Sequence, residues 1–475
     1  MEKTLSERRA NLIALGVIVI SVILSFILYR QIFLYAPSEK LEWLTYSEEH
    51  FNIGEQLYHT GKLLKAGYVN TERPPGYPVF VASVLHARDL LVNLTLLPGG
   101  KTLFGSVISN MMKDDETVVL LSHFLVSIAA GFLLFRIMRT IEKSYVAFLV
   151  VFAYLFSVPY FSLILKRDYS LLETFFILIL LFLSQKYFQH AFEKSAWKYL
   201  ILLGIAVGII CLFRPVYLLF PGFFFLAVWI FRKEFLPACK HAAIVLLFML
   251  LILTPNVIRN YRVSGRFILI SEQGGVELYH NSVESYFSSP EFTQYGKVWD
   301  EYGWPLMRDN LGIKEYSAML WYTDTARISD LFWNAAIDQI VKKPMVYIGN
   351  VIYNLGQIIT MDLDYWGYRL IKENSNNIIE YYSYVFYLWF MQIVGSASII
   401  LVALKANKNF RISILLLTVT LLISYSLVFF YPRYIYLKYP LYLLGIGFLI
   451  GYLRNACQGE ISRWGAVIIA TGLII

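Results

Sequence analysis

The sequence predicts an all-α membrane protein that crosses the bilayer about eleven times, and three observations support this prediction. Hydrophobic residues make up 58% of the 475 residues and charged residues only 16%, whereas soluble domains contain roughly 45–50% and about 25%, respectively. The mean hydropathy is +0.57. The apolar residues are collected in runs of about 20 residues, the length that spans a bilayer as a helix. This composition excludes a disordered chain, and the 3 Cys exclude a disulfide scaffold.

The apolar runs define the predicted spans. A first anchor, 12–34, follows three basic residues and lacks the small-residue cleavage site of a signal peptide. The later spans are predicted at 117–135, 144–163, 169–188, 199–213, 216–231, 241–258, 381–404, 412–430, 435–452 and 464–475. Between the fifth and sixth spans, Arg214-Pro215 predicts either a tight turn or a break in one bent hydrophobic element.

These spans divide the chain into five parts. We expect a membrane anchor at 1–34, a first outer loop with interfacial helices at 35–116 and a membrane helix bundle at 117–258. A second large outer loop then covers 259–380, and C-terminal membrane helices cover 381–475. Inverted-repeat symmetry, which many transporters show, is not evident in the sequence.

The basic residues predict the orientation in the membrane. They follow alternate spans, at Arg136, Arg139, Lys143, Lys186, Lys194, Lys198, Arg232, Lys233, Lys240, Lys405, Lys408, Arg411, Arg454 and Arg463. The positive-inside rule places these loops and the N-terminus in the cytoplasm, and both long polar loops on the outer face. The net charge of +8 is therefore a topology signal and not a nucleic-acid-binding patch. Cys239 and Cys457 are expected in the cytoplasm and Cys211 in a span, so no disulfide is expected.

The first outer loop contains a predicted interfacial helix at about 46–57, which has a helical apolar period but is too polar to span. Glu48 and Glu49 lie near its start, where the helix dipole favours carboxylates. Each acid is either part of a solvated first turn or a base that deprotonates an acceptor hydroxyl. Further on, Arg73-Pro-Pro-Gly-Tyr77-Pro predicts a rigid turn before the next helix.

Ionisable residues at the outer ends of the spans are a second set of candidates. Glu173 lies about one turn inside its span, and an ionisable group at membrane depth costs about 2.5–3.5 kcal/mol, so it needs a partner or water. Lys166, Arg167 and Asp168 precede the same span; the two cations are also explained by snorkelling. Guanidinium groups suit phosphate by charge and bidentate geometry, which makes Arg214 and Arg259-Asn260 candidates for a phosphate or pyrophosphate site. The alternative is that these arginines anchor helix ends.

No metal site or cofactor is predicted. The seven His are scattered, and no HExxH, CxxC, Walker loop or GxSxG occurs. An acidic outer loop could nevertheless hold a divalent metal.

Four segments, in their order and spacing, are similar to a known family. An acidic outer-loop helix ending at Gly61 precedes RPPGYPVFVASVL, LKRDYSLLETFFILILLF, LLGIAVGIICLFRPVYLLFPG and TPNVIRNYRVSGRFILISEQGGVELYHNS. With them, the chain resembles the GT-C superfamily of membrane glycosyltransferases, in the branch that contains bacterial protein mannosyltransferase-like and lipid A aminoarabinose transferase-like enzymes. The resemblance covers residues 1–285 by motif and the C-terminal spans only by hydropathy.

The resemblance implies an inverting glycosyltransferase of the bacterial inner membrane. It implies a polyprenyl-phosphate sugar donor and a lipid, glycan or protein acceptor, used on the outer face. In the family, an Asp four residues before an aromatic residue is the base; here that position, counted from Phe51, is Ser47, with Glu48 and Glu49 beside it. Either a Glu has taken the role or the protein handles its substrate differently.

The resemblance also assigns the remaining site residues. With the two acids, Glu48 and Glu49, as catalytic candidates, the substrate-binding candidates are Arg73, Tyr77, Lys166, Arg167, Asp168, Glu173, Arg214, Arg259 and Asn260. Lys166, Arg167 and Arg259 are expected near the donor phosphate. Glu173 is expected either to orient the substrate or to pair with Arg214. Two alternatives stay open at this point. One is a transporter or flippase of lipid-linked sugars, and the other is a catalytically inactive relative that acts as a scaffold or lipid-binding subunit.

Overall fold

The computed structural model describes residues 11–24, 48–65, 67–95, 112–157, 163–164, 167–284, 299–313, 325–360, 378–427 and 437–456. For residues 48, 68, 94–95, 299, 325–326, 360, 378–385 and 387–388, only the backbone is described. Several predictions therefore lie outside the described residues: the second half of the first anchor, the last span at 464–475, Ser47, Lys166, Cys457 and the side chain of Glu48.

The described chain is almost entirely helical, as the sequence predicts. The helices are α1 (Asn11–Leu24), α2 (Glu48–Thr60), α3 (Gly76–Thr95), α4 (Asp115–Arg139), α5 (Ser144–Leu155), α6 (Ser170–Gln189), α7 (Ala196–Phe213), α8 (Phe220–Arg232), α9 (Phe235–Ser264), α10 (Gly274–His280), α11 (Trp304–Leu311), α12 (Thr325–Lys342), α13 (Pro344–Thr360), α14 (Ile378–Lys405), α15 (Lys408–Ser426) and α16 (Tyr439–Ala456). After α2, two strands of two residues each, β1 (Leu64–Lys65) and β2 (Tyr68–Val69), pair antiparallel.

Within the described residues, six helical segments are long and apolar enough to cross a membrane: α4, α6, α7, the segment Pro215–Arg232, α9 and α15. Shorter apolar helices lie at Asn11–Leu24, Ser144–Leu155 and Trp389–Lys405. The prediction of a polytopic all-α membrane protein is confirmed. One large apolar core joins α1 and α4 to α9 with α14 to α16.

Helices α5, α9 and α13 differ from the prediction. Helix α5 ends at Leu155, eight residues before the predicted span end at 163, shortly before Pro159 in the sequence. Helix α9 continues through Pro255 to Ser264, six residues beyond the predicted span end, and stops at Gly265, whose φ of 70° gives the left-handed C-terminal conformation that ends many helices. Helix α13 lies within the segment predicted as an outer loop. It is apolar but only 17 residues long, so its hydropathy run is short for a span.

Helices α7 and α9 approach closely because two glycines face the partner helix. A Cβ at Gly204 would lie 2.6 Å from Phe248 Cβ, and a Cβ at Gly208 would lie 2.6 Å from Ile252 Cβ. Small residues four apart allow this close backbone approach in membrane helices, where van der Waals packing drives association.

The turn after α7 is a tight reversal and not a bent single helix. Helix α7 ends at Phe213, Pro215–Leu219 forms a 3₁₀ turn, and α8 returns. At the end of α8, Arg232 Nη1 donates to Ala191 O at 2.6 Å, close to the end of α6. The tight turn at Arg214-Pro215, the first of the two predicted alternatives, is therefore confirmed.

The predicted basic loops lie together at one end of the bundle, which we call the basic end. Gln185 Nε2, near the end of α6, donates a hydrogen bond to Thr140 Oγ1 in the α4–α5 turn. Lys408 Nζ donates to Phe231 O at 3.0 Å. Arg454 Nη1 donates to Tyr145 Oη at 2.5 Å. The opposite end, where Arg167, Arg214 and Ser426 lie, is called the site end. Helices α2 and α3 cover it, with Phe51, Tyr77 and Val81 packed on residues of α4 and α6.

Candidate functional site

A buried carboxylate at the site end is the centre of the candidate site. Glu173, in the first turn of α6, is completely buried. Its carboxylate accepts hydrogen bonds from Arg214 Nε at 3.3 Å, from Tyr217 Oη at 2.8 Å and from Tyr425 Oη. Three separate parts of the chain therefore meet at one carboxylate, and Arg214 supplies the partner that Glu173 needs at membrane depth.

The local sequence explains how Arg214 reaches this position. Arg214 has an extended backbone, with φ −145° and ψ 114°, between the end of α7 and the 3₁₀ turn that begins at Pro215. Proline has no backbone N–H and cannot continue α7. The turn then brings Tyr217 to the same carboxylate as Arg214, and Arg214 itself is only 9% exposed.

The turn before α6 holds a second cation in an unusual backbone conformation. Arg167 has a φ of 52°, a left-handed value that is uncommon for a residue with a side chain. Tyr77 Oη donates to Arg167 O at 2.5 Å, which holds the turn. The guanidinium pairs with Glu116 at 2.9 Å and lies over the Phe51 ring at 4.8 Å. Asp168 Oδ1 accepts from Ser170 N–H, the first N–H of α6, at 2.7 Å.

Tyr169 connects these groups with α2. The Arg214 guanidinium lies 4.6 Å from the centre of the Tyr169 ring. The Tyr169 ring also makes an edge contact with His50, with 5.1 Å between the ring centres. His50 follows Glu48 and Glu49 in the first turn of α2, so the predicted acidic helix lies beside the Glu173–Arg214 pair.

Glu49 belongs to a small ion-pair network. Arg73 binds both its carboxylate oxygens, with Nε at 3.2 Å and Nη2 at 2.9 Å, and Lys65 Nζ lies 2.6 Å from Oε1. Lys65 also pairs with Glu72 at 2.7 Å. Burial alone would raise the pKa of Glu49, but Arg73 and Lys65 outweigh it and lower the pKa to about 2. Glu49 is therefore ionised at neutral pH and a weak base in this arrangement.

The two long polar segments are joined at the site end. Thr71 Oγ1 donates to Glu272 Oε2 at 2.7 Å, and Glu272 N–H donates to Thr71 O at 3.1 Å. Glu272 also interacts electrostatically with Arg259. The segment after α9 thus lies against the turn that precedes α3.

Arg259 and Asn260 have different roles in this part of the site. Asn260 is fully buried, and its amide donates to Ile268 O at 3.1 Å and Ile270 O at 3.3 Å, which folds the chain back after α9. Its Oδ1 accepts from Arg259 Nη1 at 2.8 Å. Arg259 Nη2 is buried and makes no hydrogen bond to any described residue. Asn260 therefore orients Arg259, whose free donor is suited to an anion.

The second polar segment also holds the end of α15. Asn354 Nδ2 donates to Asn281 Oδ1 at 2.9 Å and to Ser426 O at 3.2 Å, while Asn281 Nδ2 donates to Leu427 O at 3.2 Å. The last carbonyls of a helix have no partner within the helix. These amides satisfy them and hold Tyr425 at the Glu173 carboxylate.

One further acid faces the same region. Glu55, on α2, has a raised pKa because of burial and the nearby carboxylate of Asp115. It is therefore more basic than Glu49. Among the residues that the structure describes, no group of three or more His, Cys, Asp or Glu could hold a metal ion.

The structure brings most of the predicted residues to one end of the bundle. Glu49, Arg73, Tyr77, Arg167, Asp168, Glu173, Arg214, Arg259 and Asn260 lie there. Lys166 and the Glu48 side chain lie outside the described part. Sequence reasoning missed Lys65, Tyr169, Tyr217, Glu272 and Tyr425. Tyr169 and Tyr217 lie within three residues of Asp168 or Arg214, a signal that could have found them, whereas Tyr425 has no local signal.

Comparisons with known proteins identify the fold. No protein-family model and no curated protein matches the sequence. Among solved structures, the oligosaccharyltransferase of Archaeoglobus fulgidus, tethered to an acceptor peptide, is similar with a TM-score of 0.51 and 11% identity, over 97% of this chain and 54% of that chain. The chain has the GT-C fold.

The GT-C fold that the sequence motifs imply is thereby confirmed, and the chain spans about half the length of the oligosaccharyltransferase. Two other solved GT-C proteins are less similar. AglB of A. fulgidus, in complex with an inhibitory peptide and a dolichol-phosphate, has a TM-score of 0.43 at 13% identity over 92% of this chain and 55% of that chain. ArnT of Cupriavidus metallidurans, bound to undecaprenyl phosphate, has a TM-score of 0.36 at 13% identity over 86% of this chain and 73% of that chain.

Proposed function

We propose that this protein is a membrane glycosyltransferase that moves a sugar from a polyprenyl-phosphate donor to an acceptor at the site end of the bundle. The observation that carries the proposal is the buried Glu173–Arg214 pair, joined through Tyr169 to the acidic helix α2, on a GT-C fold. Burial of a charged pair has a high desolvation cost, so such a pair at the end of membrane helices favours a functional role.

The cations of the site suit the departing phosphate. The isoprenoid tail stays in the lipid, so the sugar–phosphate bond has to be broken at the membrane surface. Negative charge then grows on the phosphate, and preorganised donors stabilise it. Arg259, with its free Nη2, is the first candidate, and Arg167 and Arg214 lie at the same end. Lys166 is proposed to join them.

The acceptor requires a carboxylate base, for which Glu48 and Glu49 remain our candidates. The acceptor oxygen attacks the anomeric carbon opposite the phosphate, the carbon–oxygen bond to the phosphate breaks, and the carboxylate takes the acceptor proton. The anomeric configuration is inverted and polyprenyl phosphate is released. A donor phosphate that binds Arg73 and Lys65 would compete with Glu49 for both cations and raise the pKa of its carboxyl group, which makes it a better base.

Other residues act by positioning. Glu173 and Tyr217 fix Arg214, Tyr77 fixes the Arg167 turn and Asn260 fixes Arg259. Asp168 fixes the start of α6. We place the protein in a bacterial inner membrane with its N-terminus in the cytoplasm, so that the site end faces outward, with a lipid, glycan or protein as the acceptor.

The test is release of polyprenyl phosphate by the purified protein. Polyprenyl phosphates that carry a hexose, a pentose or an aminopentose are incubated with the protein and with membranes from a strain that lacks its gene. Turnover is expected to fall at least about 100-fold in Arg259→Gln and in Glu48→Gln Glu49→Gln, because each loses a group that acts in the transition state. Glu55→Gln tests whether Glu55, the third acid of α2, is the base instead of Glu48 or Glu49: it is expected to keep full turnover.

Arg266→Gln is the matched control for Arg259→Gln. Arg266 follows the same helix, is exposed and pairs with Asp330 outside the site, and its variant is expected to keep full turnover. If Glu48→Gln, Glu49→Gln and the double variant that carries both substitutions all keep full turnover, the assignment of Glu48 or Glu49 as the base is wrong. If no donor of the panel is cleaved by the wild-type protein, the proposed activity itself is contradicted.

A further inference from the structure

A cavity of about 410 Å³ lies at the basic end of the bundle, opposite the Glu173 site. It is lined by residues of the α6–α7 connection and of the first turns of α7 and α9, together with Arg232 at the end of α8. None of these residues has a role in the proposed glycosyl transfer, so the cavity needs an explanation of its own.

The cavity is electropositive. Lys194, Arg232 and Lys240 line it, with Glu193 as the acidic residue of the lining. Glu193 already accepts hydrogen bonds from Ser195 and contacts His190 at 3.0 Å. The lining therefore carries an excess of positive charge near the membrane surface.

Arg232 is held by two contacts that leave its Nε without a hydrogen-bond partner among the described residues. Its Nη1 donates to Ala191 O at 2.6 Å, and its guanidinium lies over the Phe192 ring at 4.8 Å. Its Nε is buried and makes no hydrogen bond to any described residue. The Glu234 contact, at 3.5 Å, goes through Nη2 and not through Nε. An arginine fixed in this way is suited to an anionic oxygen.

Two helix N-termini also reach the cavity. Helices α7 and α9 begin at Ala196 and Phe235, and neither N-cap residue, Ser195 or Glu234, caps its helix with a side-chain hydrogen bond. Uncapped N–H groups and the positive ends of helix dipoles both favour an anion. Together with the basic lining, they favour a phosphate-type ligand.

The rim of the cavity is apolar and exposed. Phe192 is 69% exposed and Leu236 is 78% exposed, and both lie at the ends of membrane helices. Trp197 is also exposed, with Lys240 Nζ 5.2 Å from its ring centre. An aromatic residue paired with a cation is typical of the membrane interface. A ligand with both a phosphate group and hydrocarbon chains would match the basic lining and the apolar rim.

We propose that this cavity binds the headgroup of an anionic phospholipid, with the phosphate at Arg232 and Lys240 and the acyl chains along Phe192 and Leu236. The lipid would join the α6–α7 connection to the α8–α9 connection at the basic end. This site is separate from the donor site, so the lipid-binding proposal does not depend on the proposed transferase activity.

The test is native mass spectrometry of the purified full chain, titrated with phosphatidylglycerol and, separately, with phosphatidylcholine. Phosphatidylglycerol is expected to bind at least about tenfold more tightly than phosphatidylcholine. Lys240→Gln and Lys194→Gln, which change exposed side chains, are expected to weaken phosphatidylglycerol binding about fivefold each, since one basic residue near an anionic lipid contributes roughly that factor. Binding of phosphatidylcholine should not change.

Arg139→Gln Lys143→Gln is the matched control, because it removes two exposed charges of the same end outside the cavity. It is expected to leave phosphatidylglycerol binding unchanged. Three results would overturn the proposal: equal binding of the two lipids, equal losses in the control and in Lys240→Gln, or displacement of phosphatidylglycerol by millimolar inorganic phosphate. The last result would indicate a soluble-anion site instead.

Discussion

Glu173 can lie inside the helix bundle because the chain surrounds its carboxylate with donors. Arg214 Nε, Tyr217 Oη and Tyr425 Oη all donate to it. A buried carboxylate that loses a donor keeps the full cost of its desolvation, so each donor has a larger effect than an ordinary surface hydrogen bond. The arrangement fixes Arg214 and thereby the Tyr169 ring beside α2.

Tyr425→Phe is therefore expected to destabilise the protein by about 1–3 kcal/mol. The variant removes one hydroxyl that donates to Glu173 and leaves the ring in place. Thermal unfolding of the purified protein in detergent measures the effect. Tyr452→Phe is the control, because Tyr452 is exposed on α16. Equal changes in the two variants would contradict the assigned role of Tyr425.

The Glu49 network makes stability depend on pH. Its pKa is lowered from 4.5 to about 2 in the folded protein, so the ion pairs with Arg73 and Lys65 stabilise fully above pH 4.5, and this contribution is lost as the pH falls from 4.5 towards 2. At pH 7, Glu49→Gln is expected to lower stability by about 1 kcal/mol, since the pair is partly exposed. The difference from wild type should shrink below pH 4.5.

Thermal unfolding of wild type and Glu49→Gln between pH 7 and pH 3 measures this dependence. In an Arg73→Gln Lys65→Gln background, Glu49→Gln should no longer lower stability at pH 7. A difference that is constant across the pH range would show that Glu49 acts by packing and not by its charge.

Among single residues, the ionisable groups were predictable, and pairing with Arg214 was one of the two roles expected for Glu173. The tyrosines that complete the site were not predictable. Glu173, Arg214 and Arg259 stand out because few charged residues occur in apolar runs. Tyr is common, with 35 copies, and Tyr425 lies 252 residues from Glu173 in the chain. No local pattern marks such a partner, because the contact depends on how α6 and α15 pack.

Helices α7 and α9 are in close contact at Gly204 and Gly208. Gly208→Ala would place a Cβ 2.6 Å from Ile252 Cβ, so the helices must separate or the Ile252 side chain must move. We expect a loss of about 1–3 kcal/mol, the usual effect of overpacking. Gly222→Ala, in α8, meets no atom within 4 Å and is the matched control.

Thermal unfolding in one detergent compares the two alanine variants. Gly222→Ala is expected to be neutral or slightly stabilising, because Ala is a better helix former than Gly by about 0.5–1 kcal/mol. If Gly208→Ala is as stable as Gly222→Ala, the close contact between α7 and α9 does not contribute as described.

At the element scale, hydropathy predicted the positions of the spans but not how the chain reverses between them. It located α4, α6, α7 and α15 within a few residues. It did not predict that α9 would pass Pro255, because hydropathy marks the apolar run and not the helix end at Gly265. It did not predict that α13 would pack on the end of α15, because that contact joins segments distant in sequence. The hydrogen bond from Asn354 to Ser426 O, which holds α13 to α15, joins residues 72 positions apart.

At the scale of the whole molecule, the bundle separates two kinds of charge. The basic end collects the Lys and Arg of the short loops, whereas at the site end cations and carboxylates are interleaved, as in the Lys65–Glu49–Arg73 network. The basic pattern is readable in the sequence because orientation depends on loop charge. The interleaved charges of the site end cannot be read from the sequence, because they require α2, the turn at Arg73 and the segment after α9 to meet.

The proposed transferase cleaves a lipid-linked sugar at the site end and does not carry it across the membrane. Vesicles that contain the purified protein and a polyprenyl-phosphate sugar labelled on the sugar, with acceptor membranes added, test this difference. We expect loss of the label from the lipid, its appearance on the acceptor and release of polyprenyl phosphate, all reduced at least about 100-fold in Arg259→Gln. Movement of the intact labelled lipid between leaflets, without cleavage, would contradict it.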